Sequence, residues 1–307
     1  MSDVFQKAGA FSQVRLTIRT PAKITADLKI LARRPDGFHE VRLVLAPVSI
    51  FDELSVQALP PRPDQGEELN LRVEGEHAVD AGDDNLVIRA ARAFCLARGI
   101  SARLEVNLKK NVPAGAGLGG GSANAAGMLV ALNHLSGEPL QPDDLRRLAA
   151  GLGSDVPFFI EPAPALATGR GEHLDPLPGF PAAELLVVKP GFSISTAEAY
   201  GLCRPRNPQG KYLADGSMPS GNVRELARLL ANDFEGALLP RYPELERIKR
   251  ALLDSGALGA VLSGSGSAVA GVFPAAEDRD RAAVKLSGVN GWNILPCHVL
   301  PSYRYLP

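Results

Sequence analysis

Nine residues, Pro113 to Gly121, read PAGAGLGGG and carry five glycines. Before them ARLEVNLKK (Ala102 to Lys110) places Ala102, Leu104, Val106 and Leu108 on one face at the period of a strand. After them the chain carries Ala125, Leu129 and Leu132 on one helical stripe. Strand, glycine loop, helix is the predicted order. Lacking Cβ atoms, Gly115, Gly117, Gly119, Gly120 and Gly121 can take positive φ and let successive N–H groups converge on one point. Ser122 is expected to cap the helix, whose positive dipole end then faces that point. A polyphosphate suits such a site. A flexible linker would lack these periodic flanks.

Two familiar phosphate loops do not match. A lysine would have to follow the last glycine in one, where Ser122 stands. The dinucleotide fingerprint needs an opening βαβ unit with an acidic residue about 20 positions on, and Asp143 and Asp144 instead begin a helix.

Around this loop the pattern is mixed. VRLTI (Val14 to Ile18), VRLVLAPVSI (Val41 to Ile50) and LNLRV (Leu69 to Val73) read as strands of an antiparallel layer. DNLVIRAARAFCLARG reads as an amphipathic helix with Asp84 or Asn85 as cap and Gly99 just past its end. A second capped helix, QPDDLRRLAAGLG, runs into SDVPFFI, where Asp155 is expected in a tight turn before an apolar strand. Beyond the proline-rich EPAPALATGRG come strand Glu184 to Pro190, a loop from Arg204 to Gly221 read as an insertion, and helix PELERIKRALLDSG. The hairpin-like GAVLSGSGSAVAGVF, a helix near Asp278 to Leu286 and a strand near Ile294 to Leu300 follow. Without a repeated βαβ period, an α+β fold of two domains, 1–162 and 163–307, is predicted.

A formal net charge of −1 gives no electrostatic case for nucleic acid or an anionic membrane. No apolar run reaches about 18 residues and MSDVFQKAGAFSQ has no signal-peptide pattern, so a cytoplasmic protein is expected. Cys95, Cys203 and Cys297 form no CxxC, and the five histidines form no HExxH. Neither a disulfide framework nor a protein-held metal is expected.

With these segments in place, PAGAGLGGGSANAA resembles the second signature of the GHMP kinases, in the branch of the 4-diphosphocytidyl-2-C-methyl-D-erythritol kinases. PAKI and LGSDVPFF are similar to that branch's first signature and catalytic-aspartate segment. RRPDGFHEV resembles its acceptor segment, and AVLSGSGSAVAGVF its third signature. DNLVIRAA, GRGE near Arg170 and NDFE extend the resemblance over nearly the whole chain.

The resemblance implies a ribosomal-protein-S5-like first domain and a ferredoxin-like second, with the substrate cleft between them. It implies ATP held by Asn85, Pro113, Gly115, Gly117, Leu118, Gly119, Gly120, Gly121, Ser122 and Asn124, with Mg²⁺ carried largely by the phosphates. Asp155 would accept the hydroxyl proton, and Lys23 would hold it ionised. Thr25, Phe38, His39, Tyr200, Gly264, Ser265 and Gly266 would take the acceptor, with Phe38 and Tyr200 flanking its cytosine. The implied reaction phosphorylates the 2-hydroxyl of the cytidyl substrate, a step of the non-mevalonate route to isoprenoid precursors.

The implied protein is a monomer or weak homodimer acting on small molecules. Another acceptor of the superfamily (mevalonate, homoserine or a sugar) would have no use for DGFHE, and an ATP sensor without turnover no need of both Lys23 and Asp155. Two positions depart from the family pattern: Thr25 stands where asparagine is usual, and Asp27 where an apolar residue is common. Buried, Asp27 would need a partner, for which Lys23 and Lys29 are the candidates.

Overall fold

The computed structural model describes residue 11 and residues 14–60, 67–137, 140–203 and 221–306. The expected loop from Arg204 to Gly221 lies outside them, save Gly221.

Two long strands, β1 (Arg15–Arg33) and β2 (His39–Leu59), pair antiparallel and form the spine of the first sheet. β3 (Glu68–Glu74), β4 (Arg103–Lys109) and β8 (Ala231–Asn232) complete the order β3-β4-β2-β1-β8. Sequence patterning caught only the first residues of β1, and Lys23 lies well inside the strand. The pairing shifts register between Pro21 and Ala22 and again between Thr25 and Asp27. Proline has no N–H for a ladder and settles at such irregularities, which explains how a strand runs through TPAK.

The second shift also changes which way a side chain faces. Thr25 lies opposite Leu45 whereas Asp27 lies opposite Val44, so the two, although two residues apart, face opposite sides of the sheet. Asp27 shares its face with Lys29, opposite Arg42, and not with Lys23.

One face of the sheet is covered by α1 (Leu86–Arg98) and α2 (Gly120–Leu135), with α3 (Pro142–Ala150) beside them. The Asn85 side chain caps α1 by accepting from Val87 N, and Gly99 ends it in the left-handed conformation, both as the sequence predicts.

The second sheet is antiparallel, in the order β11-β7-β10-β9, from β7 (Glu184–Pro190), β9 (Gly259–Leu262), β10 (Val269–Phe273) and β11 (Trp292–His298). Counted within this half the order is 4-1-3-2, the arrangement of a ferredoxin-like unit. Three short helices, α4 (Thr196–Leu202), α5 (Val223–Leu229) and α6 (Glu235–Arg241), lie between β7 and β9 in sequence. The longer α7 (Pro243–Asp254) and α8 (Ala276–Leu286) cover the sheet's outer face.

Alternation along β7 joins the two halves: Leu185 and Val187 pack with Ile24, Ala46 and Val48 of the first sheet, and Leu186 and Val188 fall in the other core cluster. The division expected after residue 162 is not a sheet boundary. β5 (Ala165–Thr168) pairs with Leu43–Leu45 of β2 and carries β6 (His173–Pro176) with it. β2 outruns β4, which pairs only from Glu53 to Leu59, and β5 fills part of the edge left open.

Candidate active site

The glycine loop is tied to both sheets through its carbonyl oxygens. Lys23 N donates to Leu118 O at 2.9 Å from β1. From the β9–β10 turn, Ser263 Oγ donates to Gly117 O at 3.0 Å and Ala268 N to Ala116 O at 3.1 Å. In a planar trans peptide each N–H points away from the preceding carbonyl. Tying these carbonyls back therefore turns the N–H groups of Gly117, Leu118 and Gly119 the other way, toward the cleft. Gly117 is required here twice over: its φ is +73°, and a Cβ would lie 2.0 Å from Ser263 O.

Helix α2 starts earlier than predicted. Gly119, with φ of 72°, is its N-cap, and Ser122 is the third residue of the helix rather than the cap. A Cβ on Gly119 would meet the Phe159 ring at 2.8 Å, so the close packing there selects glycine over a side-chain cap. The segment after Asp155 is not a strand but a 3₁₀ turn, Pro157–Phe159, because Pro157 sets helical φ at its first position and both phenylalanines bury.

The turn brings Asp155 to β1. Lys23 Nζ lies 3.7 Å from Asp155 Oδ2 and donates to Thr25 Oγ1 at 3.1 Å. Lys23 is 4% exposed, so its charge is held by oxygens rather than by bulk water. Thr25 N in turn donates to Ser263 Oγ at 3.3 Å. Thr25 thus uses its hydroxyl as a rest for the ammonium.

Two cavities meet at this point. The first, of about 560 Å³, takes in the glycine loop, Lys23, Thr25, Asn85, Asn124 and the turn Gly264–Gly266. A second, of about 890 Å³, takes in Phe38, His39, Arg170 and Cys203. Ser122, Asp155, Thr196 and Tyr200 line both.

His39 stacks on Tyr200 with centroids 4.6 Å apart, and Tyr200 meets Phe234 edge-on at 4.9 Å. Phe38 is 49% exposed, and the Arg170 guanidinium lies 4.6 Å over its ring. Burial, helped by Arg33, lowers the His39 pKa and keeps the imidazole neutral at pH 7. Burial and the Asp155 charge push the Tyr200 phenol up to about 12, so it stays a hydrogen-bond donor.

Of the residues expected on the nucleotide, Asn85 spends its side chain locally: Oδ1 caps α1 and Nδ2 donates to Asp80 O at 2.7 Å. Asn124 is buried and accepts from Thr20 Oγ1 at 2.7 Å. One basic group was missed. Lys110, 3% exposed at the end of β4, lines the first cavity and is ion-paired with the fully buried Asp52. Asp52 Oδ1 also accepts from Asn111 N at 2.7 Å and Val112 N at 2.8 Å, fixing the run into the glycine loop. The lone signal was a lysine pair, KK, at the end of an alternating strand, one of which the alternation sends inward.

Profiles of the GHMP kinases match the chain twice: the N terminal domain over residues 85–161 and the C terminal domain over 216–290. A 4-diphosphocytidyl-2-C-methyl-D-erythritol kinase of Pelotomaculum thermopropionicum is 40% identical over 88% of this chain and 93% of its own. The chain belongs to this kinase family. A relative of the same name from Geobacter metallireducens is 34% identical over 93% of this chain and 99% of its own. A crystal structure of a 4-(cytidine 5'-diphospho)-2C-methyl-D-erythritol kinase superposes with a TM-score of 0.78 at 31% identity, over 93% of this chain and all of that one. A crystal structure of L. major mevalonate kinase superposes with a TM-score of 0.70 at 18% identity, over 95% of this chain and 97% of that one, a likeness of fold alone. No helix among the described residues is long and apolar enough to cross a membrane.

Proposed function

We propose that this member of the kinase family transfers the γ-phosphoryl group of ATP to the 2-hydroxyl of 4-diphosphocytidyl-2-C-methyl-D-erythritol, in the non-mevalonate route to isoprenoid precursors. The observation that carries the reading is that a phosphate-loop cavity and an aromatic-lined cavity share Asp155, with Lys23 Nζ beside it. Their names bring the relatives' acceptor to this chain.

In this reading the glycine-loop N–H groups and the N-terminus of α2 receive the phosphates. Asp155 accepts the hydroxyl proton as the oxygen attacks, and Lys23 steadies both the carboxylate and the transferring phosphoryl. Proximity at the cavity junction and charge neutralisation supply most of the acceleration. His39, Phe38 and Tyr200 receive the base; the neutral imidazole offers one donor and one acceptor to its edge.

Among the described residues no group of three or more His, Cys, Asp or Glu could hold a metal. Ser122 and Asp155, which line both cavities, fit Mg²⁺ arriving on the phosphates of ATP, since that ion binds through few protein oxygens and keeps substrate ones. Bound there, it neutralises phosphate charge. One chain lines both cavities, which suits a monomer or weak homodimer, and a cytoplasmic location suits the supply of two nucleotide substrates.

Purified protein given Mg-ATP and, separately, the cytidyl alcohol, mevalonate, homoserine and galactose should form ADP and product with the first only. Turnover of another acceptor, or of none, would overturn the proposal.

A further inference from the structure

The segment after β11 leaves the second sheet and returns to the first. Val299 N donates to Ala183 O at 3.0 Å and Leu300 N to Pro47 O at 2.9 Å. Tyr303 donates its N–H to Pro162 O and its hydroxyl to Arg19 O, both at 2.8 Å. Tyr305 then donates its hydroxyl to Phe159 O at 2.6 Å, its ring edge-on to that of Tyr303.

Phe159 is where this segment reaches the chemistry. The last carbonyls of a helical turn have no partner inside the turn, and the Tyr305 hydroxyl supplies one for Phe159, the final residue of the 3₁₀ turn that follows Asp155. The Phe159 ring is fully buried, and its Cζ and Cε2 lie 2.8 and 2.9 Å from where Gly119 would carry a Cβ. Lys23 Cγ lies 3.1 Å from the same point. The Phe159 ring and the stem of Lys23 therefore converge on the N-cap of α2. Core packing, with Phe158 edge-on at 5.0 Å, seats the ring, and the Tyr305 hydroxyl ties down the backbone that carries it.

We infer that Tyr305 is a positioning residue for phosphoryl transfer, acting through Phe159 to hold the Asp155 turn against Gly119 and Lys23. The inference rests on the kinase reading above. Reacting groups must be held to within a fraction of an ångström, and misplacement of about 1 Å can cost on the order of 100-fold in rate. A distant hydroxyl that fixes this turn then shows in kcat rather than in KM.

Tyr305→Phe removes one oxygen and keeps the ring. Tyr303→Phe removes the neighbouring hydroxyl, which anchors the same segment but ends on Arg19. Kinetics with Mg-ATP and the cytidyl alcohol should show kcat lowered on the order of fivefold in Tyr305→Phe, the scale of one net hydrogen bond, with both KM values within about twofold. Tyr303→Phe should keep kcat within about twofold. Amide hydrogen exchange read by mass spectrometry should quicken by about fivefold in 155–160 and 117–124 of Tyr305→Phe, with the second sheet unchanged.

Unchanged kcat in Tyr305→Phe, or equal losses in both variants, would overturn the inference and leave the segment a simple anchor. Failure of the unmodified protein to use the cytidyl alcohol would sink the acceptor assignment alone. The exchange comparison needs no acceptor and decides the positioning role in that case: quickening confined to the two segments supports it, and unaltered exchange overturns it.

Discussion

Lys23 is a buried ammonium that lies, among the described residues, beside a neutral oxygen, Thr25 Oγ1, and a carboxylate oxygen, Asp155 Oδ2. Asp155→Asn keeps shape and removes the charge and the base. We expect kcat to fall about 10²–10⁴-fold while ADP still binds, checked by single-turnover kinetics and calorimetric titration. His39 supplies a pH dependence. Its folded pKa lies below its unfolded value near 6.5, so the folded state resists protonation and its base edge is lost only in acid. The KM for the cytidyl alcohol should be flat above about pH 6.5 and rise as pH falls beneath it, with the imidazole's own titration followed by NMR. A rise on the alkaline side instead would contradict the stacked neutral ring. Asp52 is a case of stability more than of chemistry: Asp52→Asn leaves Lys110 buried without its counter-charge and should cost about 3 kcal/mol in denaturant unfolding.

At the scale of elements, the strand–loop–helix unit was legible because each part carries its own local signature: period two before Pro113, bare backbone to Gly121, a helical stripe beyond. Its details were not. The cap fell on Gly119 instead of Ser122 because Phe159, some forty positions on, packs against it. SDVPFFI became a turn because Pro157 fixes its first φ while apolar composition alone cannot separate a strand from a buried turn. β1 was read only over its first residues, since Pro21 interrupts the alternation that resumes from Ala22 to Lys29. Gly117 ties the unit to the second sheet. Gly117→Ala forces a Cβ to within 2.0 Å of a backbone carbonyl at a φ that alanine resists, and should abolish ADP binding and lower the thermal midpoint. Retained binding, measured by calorimetry, would show that the loop can shift without loss.

Across the whole molecule the glycine loop is the joint: its carbonyls accept from β1 on one side and from the β9–β10 turn on the other. A nucleotide seated there touches both halves, so ADP at 100 times its Kd should stabilise the fold as one unit by about 2.7 kcal/mol, seen as a single shifted transition in calorimetry. Two transitions, with only one moved, would mean that the halves unfold independently. The sequence by itself determined the chemistry-bearing segments and the α+β class, because hydrophobic period, glycine content and cap residues act over a few residues and are written locally. Tertiary structure alone decided that Asp155 and Lys23, 132 positions apart, share one junction, that Arg170 lies over Phe38, and that a register shift turns Asp27 away from Lys23. These depend on strand register and on which faces meet, and both are set by burying apolar surface between elements distant in sequence.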